Sequence, residues 1–306
     1  MLDGKKVLLT GLTGRLGGAF AASLAPRTEL WGYARFSNGE VRAQMDAMGV
    51  RTVQGDFSSG EFAGLPDDFD YVVHCAAAIY TRDAEDGMRN NADGSALLMG
   101  HCRKAKAFLH VSTTGVYRQN DDPAHAYRET DDLGGNNLGQ YCPTKLAAEG
   151  AVRGAALLLG LPTVMARMNV QYGGPWSDGA LLGKFLDMMI AGEPIIIPRG
   201  KPCYIGLIHD DDLVDLIEPT IGIASVPASI VNWGGDEAVE WSAVMRHMGD
   251  LLGLKPNLVE TDDFPFPSCF PDPTRRREIA GPCKVQWRDG IRRLIEARRP
   301  EALKAA

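Results

Sequence analysis

Two side chains four residues apart, in Tyr141-Cys-Pro-Thr-Lys145, carry the clearest chemistry in this 306-residue chain. On a helix, positions i and i+4 share a face. A phenol ordinarily titrates near 10 and is a poor base at neutral pH. A neighbouring ammonium favours the phenolate. Tyr141 can then exchange a proton with an alcohol or carbonyl while a hydride moves. Taken alone, a Tyr-x-x-x-Lys spacing is also an ordinary amphipathic pair. A second segment gives it direction: Leu109-His110-Val111-Ser112-Thr113-Thr114-Gly115-Val116-Tyr117 reads as a strand ending in hydroxyls. Ligands bind at the carboxyl ends of parallel strands, where one hydroxyl can hold the reacting oxygen beside Tyr141.

Hydride transfer needs a carrier, and Gly11-Leu12-Thr13-Gly14-Arg15-Leu16-Gly17 supplies a place for one. It follows the first apolar run and opens the first helical pattern, which is the context that distinguishes a dinucleotide cradle from a plain tight turn. Gly11 permits the sharp turn, Gly14 the approach of a pyrophosphate, and Gly17 close packing of helix on strand. The helix N-terminus adds N–H groups and a positive dipole end. Thr13, Arg15 and Leu16 belong to the same expected contact. An acid at the end of the second strand would select NAD through the ribose hydroxyls. The sequence there is Tyr33-Ala34-Arg35-Phe36-Ser37-Asn38. Arg35 can clamp a 2′-phosphate instead. NADP is therefore the expected cofactor, with NAD as the alternative. Asp56 and Phe57 are placed beside the adenine. Ala76, Ala77 and Ala78 keep side chains small where the cofactor would lie.

The elements that must position these groups follow from periodicity. Val7–Thr10, Glu29–Tyr33, Arg51–Val53, Tyr71–Cys75, Ala107–Val111 and Thr163–Ala166 read as buried strands. Leu16–Leu24, Val41–Met48, Asp86–Lys104 and Tyr141–Leu159 read as helices between them. This alternation implies βαβ units and a parallel sheet covered on both faces. The fold class is α/β: a doubly wound parallel Rossmann sheet with a smaller C-terminal α/β substrate-binding region. The expected division is 1–170 for the nucleotide-binding domain and 171–306 for the substrate region, with some segments of the latter returning to the sheet. After residue 170 the rhythm breaks. Tyr172 to Pro175 reads as a turn, Pro265–Pro273 as a loop, and Trp287–Arg298 as a basic terminal helix. Asp210, Asp211 and Asp212 read as helix-capping residues. Arg275, Arg276 and Arg277 read as a solvated helix face. Gly115, Gln171, Tyr172, Trp176 and Tyr204 are candidate pocket residues by position.

Composition excludes other classes. Lys+Arg 32 against Asp+Glu 39 gives a formal net charge of −7, which argues against non-specific binding of nucleic acid or anionic membrane. No secretory signal and no run of about 18 apolar residues is visible. The six cysteines form no Cys-x-x-Cys pair and read as reduced thiols. The six histidines lack metal-ligand spacing, so no metal is expected. A cytoplasmic location is the expectation. The 35 glycines exceed the usual share of about 7%. Those at 11, 14 and 17 explain part of that excess.

The combined motifs resemble the extended short-chain dehydrogenase/reductase family, the NAD(P)-dependent epimerase/dehydratase group. The resemblance covers nearly the whole chain. It rests on the glycine loop, Gly55-Asp56, His74-Cys75-Ala76-Ala77, Asn91-Ala92-Asp93-Gly94, Ser112 to Tyr117, Tyr141 and Lys145, Arg167 through Gly173, Ile208-His209-Asp210-Asp211-Asp212, and Asn232-Trp233-Gly234-Gly235. It implies that Thr113, Tyr141 and Lys145 are catalytic, with Lys145 also holding the nicotinamide ribose. Asn91 matches a residue of the active-site hydrogen-bond network, or ties helix to strand. Thr113, Thr114 and Gly115 would meet substrate. A homodimer through the two long helices is implied likewise.

The departures from the family narrow the function. Its dehydratases carry Asp-Glu directly after the catalytic Thr, and Thr114-Gly115 stand here. Its nucleotide-sugar enzymes commonly carry Asn three residues after the Arg matching Arg167, but Val170 stands there and Asn169 is one place early. An Arg that grips the diphosphate is replaced by Ile205, with Arg199 or Lys201 as substitutes. The leading expectation is therefore net interconversion of a secondary alcohol and a carbonyl on a small molecule. The alternatives are a nucleotide-sugar epimerase with a transient oxidation–reduction cycle, and a non-catalytic NADP-binding regulator.

Overall fold

The computed structural model describes residues 1–135, 139–174, 176 and 180–304. Pro175, expected in a turn, lies outside them. Seven strands form one parallel sheet. β1 (Lys6–Thr10), β2 (Glu29–Ala34), β3 (Arg51–Gln54), β4 (Tyr71–His74) and β5 (Ala107–Thr113) are joined by the strands Thr163–Met168 and Ser229–Trp233. Their spatial order runs Ser229–Trp233, Thr163–Met168, β5, β4, β1, β2, β3. The order reverses between β1 and β4, which is the switch point at which such sheets bind ligands.

Strand residues alternate between two cores. Val7, Leu9, Leu109, Val111 and Val164 pack with α1 (Arg15–Leu24) and α7 (Asp210–Ile221). Leu8, Val72, Phe108 and Met165 pack with α4 (Gly94–His101) and α5 (Tyr141–Leu159). A third core joins α6 (Leu181–Ile190), α8 (Trp241–Leu252) and α10 (Trp287–Arg298), centred on Trp241, Leu186 and Ile291.

The structure departs from the sequence expectations in four respects. The single helix expected over 86–104 is an α-turn at Ala84–Met88, a π-helical turn at Arg89–Asp93, and α4. β5 and the Thr163 strand each extend two residues past the expected ends, to Thr113 and Met168. Arg276 is not solvated. It is 2% exposed and binds Asp236 and the Gly281 carbonyl. Arg275 and Arg277 are exposed as expected. The three aspartates do lie in the first turn of α7, but the cap is His209, whose Nδ1 accepts from Asp211 N at 3.1 Å.

Candidate active site

At the carboxyl ends of the strands lies a cavity of about 820 Å³. One end is walled by Tyr33, Arg35, Phe36, Ser37 and Asn38. Its floor is the glycine loop, and its other end holds Ser112, Thr113 and Tyr141. Gly11, Thr13, Gly14, Arg15, Leu16, Gly17, Asp56, Phe57, Ala76, Ala77 and Ala78 all line it, as expected for a cofactor groove.

The glycine loop explains itself by distance. Gly11 has φ +73°, and a Cβ there would stand 2.7 Å from Ala76 N. A Cβ on Gly17 would stand 2.2 Å from Gly11 O. Gly14 occupies the cap position of α1 with no side chain to cap the helix, and no acid lies in its first turn. The first N–H groups of a helix have no internal partners, so this end presents donors and a positive dipole end to the cavity. A cradle of that shape fits a dinucleotide pyrophosphate.

At the ribose end, Arg35 is exposed, and among the described residues no carboxylate pairs with it. Its carbonyl accepts from Gln54 at 2.9 Å. Asp56 lines the cavity and caps its own turn, accepting from Ser58 N at 2.9 Å and Ser58 Oγ at 2.7 Å. Phe57 packs edge-on against His74.

The catalytic end is dense and internally bonded. Tyr141 and Thr113 line the cavity together, and Thr113 Oγ1 accepts from Gly115 N at 3.1 Å. Burial raises the Tyr141 pKa above its ordinary value, and the neighbouring Thr113 hydroxyl only partly opposes this. Lys145 does not line the cavity. It is 1% exposed, and its Nζ donates to the Val111 carbonyl at 2.8 Å and lies 3.1 Å from His110 Nε2. Burial lowers its pKa to about 8, while Glu149 and Cys75 act the other way. In the chain alone, therefore, Lys145 faces β5, and burial dominates the Tyr141 phenol.

Asn91 sits in the π-helical turn and has a tying role. Its Oδ1 accepts from Ala78 N at 2.7 Å, and its Nδ2 donates to Ala78 O at 3.0 Å and Thr144 Oγ1 at 2.9 Å. It thereby fixes the loop after β4 to the first turn of α5, three residues from Tyr141. Wide turns of this kind are frequent at functional sites.

The expected substrate residues divide. Thr113 and Gln171 reach the cavity. Thr114 and Gly115 are buried behind it, with Thr114 Oγ1 accepting from Asn169 Nδ2 at 2.6 Å. Tyr172 is buried against Gly290 and His209. Trp176 packs over Gly18 on α1. Tyr204 lies in a two-residue strand beside Glu240. Met168, Asn169, Val170, Ala180 and Leu181 take the places these residues were expected to fill. The same strand-end rule that selected Thr113 would have found Met168 and Asn169 had that strand been read to its true end. Asn169 also spends its amide internally, donating to Cys269 O at 2.8 Å and accepting from Gly206 N at 2.8 Å.

The replacement for the family's diphosphate arginine is apolar, because Ile205 is buried. Arg199 is paired with Asp262 at 3.3 Å and lies outside the cavity lining. Among the described residues, no group of three or more His, Cys, Asp or Glu converges as for a metal. No helix there is long and apolar enough to cross a membrane.

Comparison with known proteins agrees with this geometry. Solved structures match nearly the whole chain. UDP-glucuronic acid 4-epimerase from Bacillus cereus, in complex with UDP-glucuronic acid and NAD, has a TM-score of 0.82 at 19% identity, covering 95% of this chain and 98% of its own. UDP-glucose 4-epimerase from Thermotoga maritima has a TM-score of 0.82 at 20% identity, covering 96% and 99%. These likenesses establish a shared fold. A trifunctional UDP-glucose 4,6-dehydratase/UDP-4-keto-6-deoxy-D-glucose 3,5-epimerase/UDP-4-keto-L-rhamnose-reductase of Arabidopsis thaliana is 24% identical over 259 residues, 80% of this chain and 39% of that protein. The chain thus spans about two fifths of the length of the curated relatives it matches. The model of the NAD dependent epimerase/dehydratase family matches residues 7–218. The chain belongs to that family, and is an enzyme of the extended short-chain dehydrogenase/reductase type.

Proposed function

We propose that the protein carries out reversible hydride transfer at a secondary carbinol of a nucleotide sugar and returns the hydride to invert a centre, as an epimerase. The observation that supports this most directly is that Tyr141 and Thr113 line one end of a cavity that begins at a dinucleotide cradle. The nucleotide-sugar complexes among its structural relatives move the weight from net oxidoreduction, the leading expectation from sequence, to this redox-neutral cycle.

The bound dinucleotide supplies the hydride acceptor and donor. Thr113 orients the substrate oxygen through its hydroxyl. Tyr141 takes that oxygen's proton at Oη and returns it. Burial disfavours the phenolate, and the positive charge of Lys145 behind β5 and of an oxidised nicotinamide opposes that cost. Water elimination has no acid to drive it, since Thr114 is buried and bonded to Asn169 and Gly115 has no side chain.

A second reading, net alcohol–carbonyl oxidoreduction on a substrate without a diphosphate, is favoured by buried Ile205 and ion-paired Arg199. The two separate in one assay. Incubation with UDP-sugars and catalytic cofactor gives the epimer with no net change in reduced nicotinamide under the first. Stoichiometric cofactor turnover with simple carbonyls, and none with UDP-sugars, sinks it.

NADP preference is supported by exposed Arg35 and by the lack of an acid at the end of β2. A homodimer is supported by Leu97, Leu157 and Leu158, which stand exposed on α4 and α5; light scattering that reports a monomer would refute it. The division at residue 170 is supported by the separate core around Trp241. Six free cysteines fit a reducing cytoplasm.

A further inference from the structure

A polar row crosses three strands beneath the cavity. Thr10 pairs in register with His74, and His74 with His110. All three are fully buried. Both ring nitrogens of His74 are occupied, Nδ1 by Thr10 Oγ1 at 2.6 Å and Nε2 by Ser95 Oγ at 2.9 Å. His110 differs. Its Nε2 lies 3.1 Å from Lys145 Nζ, and its Nδ1 has no hydrogen-bond partner. An ammonium only donates, so the contact requires a bare Nε2 and places the ring hydrogen on Nδ1. With the Val111 carbonyl at 2.8 Å, β5 then sets two of the three N–H directions of Lys145.

We propose that His110 is a positioning residue for Lys145: its neutral imidazole accepts from the ammonium and holds that charge against β5, at a fixed distance from Tyr141 and the ribose of the dinucleotide. The proposal rests on the Tyr141–Lys145 reading above. Burial first, then the charge of Lys145, keeps His110 neutral. The other titratable groups around Lys145 are Glu149 and Tyr141 on α5, Cys75 after β4, and His74 on β4. Glu149 is committed to Ser112 and Arg167. Burial keeps the Cys75 thiol and the His74 ring uncharged. A carboxylate at position 110 would offset the ammonium that Tyr141 needs. An apolar ring would leave it one acceptor short in a dry site.

The test uses the whole chain without cofactor. Long-range nitrogen NMR of the wild type should show neutral His110 with hydrogen on Nδ1. Hydrogen on Nε2 overturns the proposal, since that nitrogen could not accept. Carbon NMR at Lys145 Cε then follows its titration in wild type, His110→Phe and His110→Gln. The Phe variant should titrate lower, and the Gln variant, whose Oε1 accepts, should return toward wild type. NADPH affinity should fall roughly 3–10-fold in His110→Phe and recover in His110→Gln, the range expected for one hydrogen bond. An unmoved Lys145 titration in folded His110→Phe overturns the proposal. If that variant fails to fold, the wild-type tautomer decides. If wild type binds no dinucleotide, the cofactor reading fails, while tautomer and titration still decide the role of His110.

Discussion

The two ends of the cavity are built on opposite terms. At the ribose end Arg35, Ser37 and Asn38 are exposed, and the anion site is backbone. At the catalytic end a buried polar network, in which Arg167 and Ser112 both bond to Glu149, lies directly behind Thr113 and Tyr141 of the cavity wall. The difference follows from what each end must do. A diphosphate is bound by donors that water can also reach, whereas a proton must move between groups whose geometry is set before substrate arrives. Exposed groups are replaceable one at a time; a buried network fails when one member is removed.

The sharpest way to break this contrast is therefore at the network's base. Arg167 is 1% exposed and bonded to Glu149 at 2.7 Å. Glu149→Ala leaves that guanidinium buried without its counter-charge and should cost about 3–5 kcal/mol of stability. Denaturant unfolding checks it, and a loss below about 1 kcal/mol, the size of a surface pair, would show the catalytic end to be no tighter than the other.

Next in size is the chemistry itself. Tyr141→Phe removes the proton carrier and leaves the fold, so turnover should fall by a factor on the order of 10² or more. Near-normal turnover would remove Tyr141 from the mechanism. At the ribose end the expected effect is smaller. Arg35→Ala should weaken NADP by roughly tenfold, the scale of a charged hydrogen bond, and leave NAD unchanged. Equal loss of both would mean that Arg35 does not read the 2′-phosphate.

This contrast also marks what the sequence could show. The backbone-built end was legible because its signals are local: Gly11, Gly14 and Gly17 adjoin the strand and helix they join. All the residues expected to hold the cofactor reach the cavity except Lys145, at the catalytic end, whose Nζ lies beside His110, thirty-five positions away. The catalytic residues were legible by spacing, but their partners were not. The helix expected over 86–104 breaks because Asn91 must reach Ala78 and Thr144, and because Gly87 approaches within contact of Thr144. Periodicity carries no trace of such contacts. Likewise the arginine run at 275–277 reads as solvated until Asp236, forty residues earlier, takes Arg276 into the interior. Tyr172, Trp176 and Tyr204 were chosen by type and position after residue 170, where no motif fixes direction; Tyr172 and Trp176 are spent on packing, and Tyr204 pairs in a short strand outside the cavity lining.

The smallest expected effect concerns the region beyond the catalytic end, where the family's diphosphate arginine is replaced by Ile205. Of the two substitutes offered by the sequence, Arg199 and Lys201, the first is exposed and already paired with Asp262 and Glu260. A phosphate would have to displace those carboxylates in open solvent, where charge pairs contribute little. Arg199→Ala should therefore change the affinity for a UDP-sugar by no more than about twofold, measured by calorimetry with cofactor bound. A tenfold loss would make Arg199 a diphosphate ligand and extend the exposed, replaceable construction of the ribose end to the far side of the cavity. An unchanged affinity, with UDP-sugar binding intact, would assign the diphosphate to backbone donors, as at the glycine loop. The same null result with no UDP-sugar binding at all would favour the smaller carbonyl substrate.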